Sequence, residues 1–544
     1  MATLLAGGVT GKGRATPASP PASTASPLST PSTPRASVDA EVATVDDIPS
    51  LQKLNLEHAE RKLAMLKDGA ACRKHYAPMP SHRSCQDASW LVLFLVMAGG
   101  FLAWGADRSA ALMKAGAWAN GLVADGVPAL LEDLGVHLPA KGLLITLAVA
   151  FCSSMIACAA LIVMAHKAPS CVVWSSLIVG PCLLMVLGLG LLGISADAGL
   201  MLLVVGALSF CVCFCCYRHH IPFMAEVTRV VADVIEEHPC MMTVSLIGTS
   251  IAFVWAVAMG LAYTAIVCDW ADRLKQEDPG PISKLEWACF LGSLVTFFWG
   301  LGIASNLSHV TYCGVFGHWY YKAKAAGSDS DDSEDSDDAD AGCALMPAMG
   351  VAFTTSLGSI CFGSLFVAIF KALELLTRRV RRSASQSWNP IVCVLGCCCS
   401  VIVESLGGLL EYFNDWAYVQ CAVRSVPFMD ATRITFSLIM CANMESVQAA
   451  LLLNFVFWFG AVGVAAIGAL ATALVAAALY GAGAAAVGAS VGFAIGLVAG
   501  AGALGIVNSG VKALLVCWAD SPDRLRETHP EFHEALMQKT LAMQ

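Results

Sequence analysis

Between residues 90 and 507 the chain returns repeatedly to apolar runs close to the roughly 20 residues needed to cross the hydrocarbon core of a bilayer. No other feature restricts the fold as much. Lipid offers no hydrogen bonds to the backbone, so each such run must satisfy its own amides, which a helix does. Only 13% of the residues are charged and 57% are hydrophobic, against roughly 25% charged in a soluble domain. The expectation is an all-α integral membrane protein of about ten transmembrane helices. The spans fall at 90–104, 142–165, 171–194, 199–216, 241–268, 290–312, 351–373, 391–412, 449–474 and 485–507, the last two divided near Tyr480-Gly481. An even count places both termini on one side. Arg61, Lys62, Lys67, Arg73, Lys74 and Arg83 precede the first span and mark that side as cytosolic. One loop disagrees, because Arg378, Arg379, Arg381 and Arg382 follow the seventh span and would sit outside.

Outside the spans the composition changes. Residues 1–45 are rich in Ala, Ser, Thr and Pro without apolar periodicity, as in a disordered cytosolic tail, and the N-terminus lacks both a signal-peptide core and a Met-Gly start. Residues 46–87 carry leucines at helical spacing after Ser50 and read as an amphipathic helix and lead-in. The transmembrane domain covers 88–518, with a second amphipathic helix at 217–239 and an acidic structureless loop at 325–345. The chain turns soluble after Val511 and ends in a cytosolic tail, 519–544. Between 461 and 502 alanine and glycine dominate at small-xxx-small spacing, which lets helices approach closely. The 23 cysteines lie mostly inside apolar runs and read as small packing residues, although Cys215 and Cys216, beside Tyr217-Arg218, also suit lipidation.

GxSxG, phosphate-binding, HExxH and zinc-spaced CxxC patterns are missing, so no catalytic residue, cofactor, metal or nucleic-acid partner is expected. What stands out is polarity at membrane depth, which is expensive and faces protein interiors or aqueous paths. In 297–321, Trp299, Gly302, Asn306, His309 and Cys313 fall on one helical stripe. Asn306 serves either as a helix-to-helix hydrogen bond or as part of substrate handling. His309 titrates near neutral pH. Gly358 and Gly363 thin the seventh span beside Ser359 and Ser364, and Glu404 sits inside the eighth, where it must be protonated, paired or lining an aqueous path. Tyr412, Trp416 and Tyr418 follow, with Asn414-Asp415-Trp416 placed at an interface. Aromatic faces beside a carboxylate are what a quaternary ammonium needs.

The pattern Asn306-Leu-Ser-His309-Val-Thr311-Tyr-Cys-Gly314, followed by Trp319-Tyr320-Tyr321, resembles that of choline transporter-like proteins, most closely the subgroup named for the pH-nine-sensitive protein. Gly358-Ser359 and Gly363-Ser364 resemble the family's Gly-Ser repeat, and residues 218–226 and 83–87 resemble its linker and lead-in. The similarity covers roughly 83–520. It implies about ten transmembrane helices with cytosolic termini and transport of choline or a related amine, with proton coupling as one alternative. The chain departs from the family at Asn414-Asp415-Trp416-Ala417-Tyr418, where Asn-x-Asn-Ala-Tyr is usual, and in its short first extracellular loop, 105–141.

The expected function is thus transport of choline or an ethanolamine-like organic cation by alternating access, in the plasma membrane or an internal one. Membrane lipids are the other expected partner. Trp299 and other aromatics would face the ammonium group, with Glu404 as counter-charge. Asn306 and His309 would take the hydroxyl end or relay a proton. Thr311, Ser359, Tyr412 and Tyr418 complete the expected binding set, and Gly314, Gly358 and Gly363 the structural motif. The alternatives are a membrane scaffold that transports nothing and a passive channel.

Overall fold

The structure, a computed structural model, describes residues 48–114, 140–193, 195–216, 220–274, 283–321, 344–386, 390–441 and 444–541. The predicted disordered tail lies outside the described residues, as does the acidic loop up to residue 343. The chain divides into two units, 1–59 and 60–544. The described part of the first is the opening of α1 (Ile48–His75), and all the other elements belong to the second.

Every regular element among the described residues is helical. After α1 come α2 (Ala88–Lys114), α3 (Ala140–Lys167), α4 (Pro169–Leu191), α5 (Ala196–Cys216), α6 (Ile221–Glu237), α7 (Met241–Leu274) and α8 (Lys284–Tyr321). Next are α9 (Leu345–Gly350), a π-helical turn (Val351–Thr355), α10 (Leu357–Gln386), α11 (Pro390–Arg424), α12 (Phe428–Cys441), α13 (Met444–Tyr480), α14 (Ala482–Asp520), α15 (Pro522–Thr528) and α16 (Pro530–Leu541). Eight of them, α2, α3, α7, α8, α10, α11, α13 and α14, contain stretches long and apolar enough to cross a membrane, by length and composition. The third and fourth predicted spans fold as α4 and α5, of 23 and 21 residues.

The boundaries move in informative ways. Both edges of the first predicted loop, 105–141, are helical, since α2 runs on to Lys114 and α3 starts at Ala140, and the rest of that loop lies outside the described residues. The seventh predicted span is not a uniform α-helix. Its first residues form the π turn and α10 begins at Leu357, next to Gly358, which packs directly on the backbone of the lead-in, where a Cβ would lie 2.3 Å from the Gln86 carbonyl oxygen. The eighth continues without interruption to Arg424, so Asn414, Asp415 and Trp416 sit inside a helix and not beyond its end. The final hydrophobic block divides where expected, at Gly481, whose φ of +88° suits the one residue without a Cβ. Its second helix does not end near 511. It stays buried to Asp520, with Val511 and Ala513–Cys517 in the core, because this end is covered by protein and not by water.

Two packing surfaces position the rest. Along α13 and α14 the small residues permit backbone contact, and a Cβ on Gly492 would lie 2.4 Å from the Gly468 carbonyl oxygen. The amphipathic α6 buries Phe223, Met224, Val227, Val230, Val231 and Val234 at helical spacing against α3, α4, α14 and α16. Trp319, Tyr320 and Tyr321 do not form a lipid-facing belt. Trp319 stacks on His529 at 3.9 Å, and the Tyr320 and Tyr321 hydroxyls donate to the Ser521 carbonyl and the Asp520 carboxylate, each at 2.9 Å.

Candidate functional site

A cavity of about 410 Å³ opens where α7, α8, α11 and α14 meet. Each helix contributes residues three or four apart, so one face of each turns inward. From α7 come Ser245, Gly248, Thr249 and Ala252, and from α8 Ser305, Asn306, Ser308, His309 and Tyr312. Glu411 and Asp415, one turn apart on α11, face it, as do Gly502, Gly505, Asn508, Ser509 and Lys512 of α14. Small residues on α7 and α14 leave the space, and the larger polar groups of α8 and α11 line it.

The charges inside are paired. Lys512, itself buried, donates from Nζ to Asp415 Oδ2 at 2.6 Å, and 23% of the Asp415 side chain stays open to the cavity. His309 is held from both sides. Its Nε2 lies 2.9 Å from the Asp415 backbone carbonyl and its Nδ1 2.8 Å from Ser509 Oγ. A carbonyl only accepts, so the ring carries a proton on Nε2, while Nδ1 meets a Ser509 hydroxyl that also reaches the Gly505 carbonyl at 2.7 Å. A smaller cavity of about 250 Å³ shares Ser305, Asn306, Glu411 and Asp415 with the first and adds Phe298, Gly302, Asn414 and Lys371, whose Nζ lies 2.8 Å from Glu411 Oε1. Together they form a polar path beside α8 that carries two carboxylates, two lysines and an imidazole.

The wall behind this path is tied by hydrogen bonds. Asn306 Nδ2 donates to Ser364 Oγ at 2.9 Å, the Ser364 and Tyr418 hydroxyls lie 3.3 Å apart, and Tyr418 donates to the Ile360 carbonyl at 3.2 Å. Asn414 Nδ2 donates to the Gly363 carbonyl at 2.9 Å. A side chain on Gly363 would strike the Tyr418 hydroxyl at 2.4 Å, so this glycine is what lets α10 and α11 share a polar seam. Gly314 similarly admits Ala348.

Of the residues the sequence nominated, Asn306 and His309 line the cavity and the others do not. Trp299 is buried and its indole N–H donates to the Cys361 carbonyl at 2.7 Å, so it fastens α8 to α10 and presents no face to a ligand. The Thr311 hydroxyl turns back to the Leu307 carbonyl at 2.8 Å. Ser359 donates to Asp87 Oδ2 at 2.7 Å and belongs to the lead-in contact around Gly358. Tyr418 is part of the seam. Tyr412 packs against Trp416, its ring 5.9 Å from Lys512 Nζ. Glu404 is exposed on the outer side of α11 and accepts from Arg378 at 3.0 Å. Of the three states foreseen for it, it is paired. Arg378 also lies 2.5 Å from Glu374, so two carboxylates meet the first arginine of the cluster that the span count places outside, against the charge-side rule.

The ionisable groups of the path are instead Asp415, Glu411, Lys512 and Lys371. Two signals could have exposed them: Glu411 and Asp415 at i and i+4 on an apolar helix, and a solitary lysine in the run Val511-Lys512-Ala513-Leu514-Leu515. Ending the last span early hid the second.

Known proteins are similar to this chain over much of its length. The family model described as plasma-membrane choline transporter matches residues 201–523, more than half of the chain and all of both cavities. Protein PNS1 of Kluyveromyces lactis is 32% identical over 260 residues, covering 44% of this chain and 43% of that protein. Protein PNS1 of Yarrowia lipolytica is 27% identical over 357 residues, covering 62% and 59%. A CTL-like protein of Dictyostelium discoideum is 26% identical over 335 residues, covering 58% and 52%. The chain spans about half the length of the curated relatives it matches. An all-helical multi-pass architecture and a family match that spans both cavities lead to one conclusion: the chain belongs to the choline transporter family.

Proposed function

We propose that this protein carries choline or a related organic cation across the membrane by alternating access around the cavity between α7, α8, α11 and α14. The observation that carries this is Asp415, a carboxylate on a helix apolar enough to cross the membrane, which keeps an open face in a polar cavity of about 410 Å³. A quaternary ammonium has no N–H to donate, so it is recognised through charge and through apolar or aromatic surface. Asp415 and Glu411 supply the charge, and Tyr312 and Phe298 supply rings on either side of the shared wall. The hydroxyl end of the substrate finds Asn306, His309 and Ser509 within the same space.

Lys512 makes the site responsive. A cation arriving at Asp415 adds positive charge where one already sits, so either the Lys512 contact loosens or a proton leaves the cluster. Each outcome gives the bound and empty proteins different energies, which transport requires. The Lys512–Asp415 contact joins α11 to α14, so loosening it frees one helix against the other. The same proposal places both termini in the cytosol, on the strength of the basic residues before α2, and the protein in the plasma membrane, as the matched family's description suggests.

The test is uptake of labelled choline by the purified protein in liposomes, across a panel of amines and imposed pH gradients. Saturable uptake that Asp415→Asn lowers at least tenfold is expected. Absence of saturable uptake under every gradient overturns the proposal, and flux that never saturates indicates a passive channel.

A further inference from the structure

Choline needs only the polar path, yet the cavity has an apolar neighbour that such a substrate leaves unused. It encloses about 390 Å³ between α3, α7 and α14, and Ser245, Thr249 and Val498 line both spaces. Its own walls are hydrocarbon: Phe151 and Met155 from α3, Leu246 and Phe253 from α7, Ile495 and Ala499 from α14. Phe151, Leu246 and Phe253 are also exposed on the outside of the bundle, on stretches apolar enough to cross the membrane, so this space opens towards lipid. The helix packing agrees. Among the described residues, α3 and α7 each pack along α14 far more closely than along one another, which leaves a slot with α14 as its floor. At the seam between the two spaces the wall is thin. Gly502 lines the polar side, and a Cβ there would lie 2.3 Å from Ser245 Oγ.

A charged chamber that shares Ser245, Thr249 and Val498 with a hydrocarbon chamber open to the bilayer has the shape of a site for an amphiphile. We infer that the cation site also takes single-chain alkylammonium amphiphiles, with the ammonium head beside Asp415 and the alkyl chain in the apolar space, entering sideways from the membrane between α3 and α7. This rests on the polar cavity being the cation site. Membrane lipid is the natural reservoir for such a ligand, because the chain passes from bilayer to slot without crossing water.

The experiment is competition by n-alkyltrimethylammonium ions, methyl to octyl, against labelled choline bound to the purified full chain in lipid nanodiscs. The concentration for half-displacement should fall about three- to fourfold per added methylene while the slot fills. Ala494→Phe, on the exposed lip of the apolar space, and separately Ala499→Phe, should flatten the series and leave displacement by tetramethylammonium unchanged. A flat series in the unmodified protein, with tetramethylammonium still displacing choline, overturns the amphiphile inference and leaves the cation site standing. A slope that both phenylalanine variants preserve reflects partition into bulk lipid and overturns it as well. Failure to bind choline at all removes the cation site, and the inference falls with it.

Discussion

Two cation–carboxylate pairs bridge α11 and α14, with the charges reversed between them. At one level Asp415 of α11 meets Lys512 of α14, and about two turns further on Arg424 of α11 meets Asp520 of α14. Both cations are almost wholly buried. Their surroundings differ. Arg424 is saturated: it also donates to Gln420 at 2.9 Å, to the Arg73 carbonyl at 3.2 Å and to the Tyr76 carbonyl, while Asp520 accepts from Tyr321. That pair rivets α8, α11, α14 and the lead-in together at one end of the bundle. Asp415 has an open face on a cavity and shares its residue with a histidine contact. The comparison separates two uses of one chemistry. A buried pair enclosed on every side fixes a structure, whereas one left open to a polar space can exchange partners.

The largest expected effect is therefore at the closed pair. Arg424→Met leaves Asp520 charged and enclosed, and removing one member of such a pair costs about 3–5 kcal/mol. Thermal melting followed by size exclusion should show most of the folded fraction lost, and Arg424→Met with Asp520→Leu should recover much of it. At the open pair the order of losses reverses. Asp415→Asn should cost less thermal stability than Arg424→Met, because the amide oxygen still accepts from the buried Lys512, and should lower choline uptake at least tenfold. Equal melting losses at the two sites, with uptake retained in Asp415→Asn, would break the distinction.

How much of this was legible in the sequence depends on which signals are local. Apolar runs, the Gly481 break and the small-residue faces depend on a few neighbouring residues, and the helices formed where those signals lay. Asn306 and His309 could be read because a polar residue in an apolar helix is conspicuous by itself. Their partners were less conspicuous. Asp415 looked like the far end of a span because charge usually marks a boundary, and Lys512 lay beyond the point where the last span was ended. Trp299 was chosen for its chemistry, but an indole also has an N–H to satisfy, and the Cys361 carbonyl of a helix 62 residues away took it. Glu404 was chosen for its depth in sequence, and its outward azimuth on α11 was decided by packing with α10.

An intermediate effect is expected at the lead-in, which borders the closed pair's end of the bundle. Gln86 N–H donates to the Thr355 carbonyl at 2.9 Å, and Asp87 accepts from Ser359 and from the Phe428 amide at 2.7 and 2.8 Å. Arg83 donates to the Ala422 carbonyl and to Ser425 Oγ at 2.9 and 2.7 Å, and burial lowers its pKa from the usual arginine value. Gly358→Ala would push a methyl group into the Gln86–Asp87 backbone and cost about 1–3 kcal/mol. Melting measurements should place it between Arg424→Met and Asp415→Asn. If this strap only positions α10, choline affinity should change less than thermal stability does.

The smallest effect sharpens the contrast most, because it concerns a carboxylate that sequence alone ranked above Asp415. Glu404 and its partner Arg378 are each about half exposed, and Glu404 lines neither polar cavity. An exposed pair of this kind contributes about 0–1 kcal/mol. Arg378 keeps Glu374 at 2.5 Å when Glu404 is neutralised, so the arginine is not stranded. Glu404→Gln should hold choline uptake within about twofold of the unmodified protein and shift melting by no more than that small pair energy. Loss of uptake in Glu404→Gln together with retention in Asp415→Asn would move the counter-charge from the inner face of α11 to its outer face. That result would place the cation path on the other side of the helix.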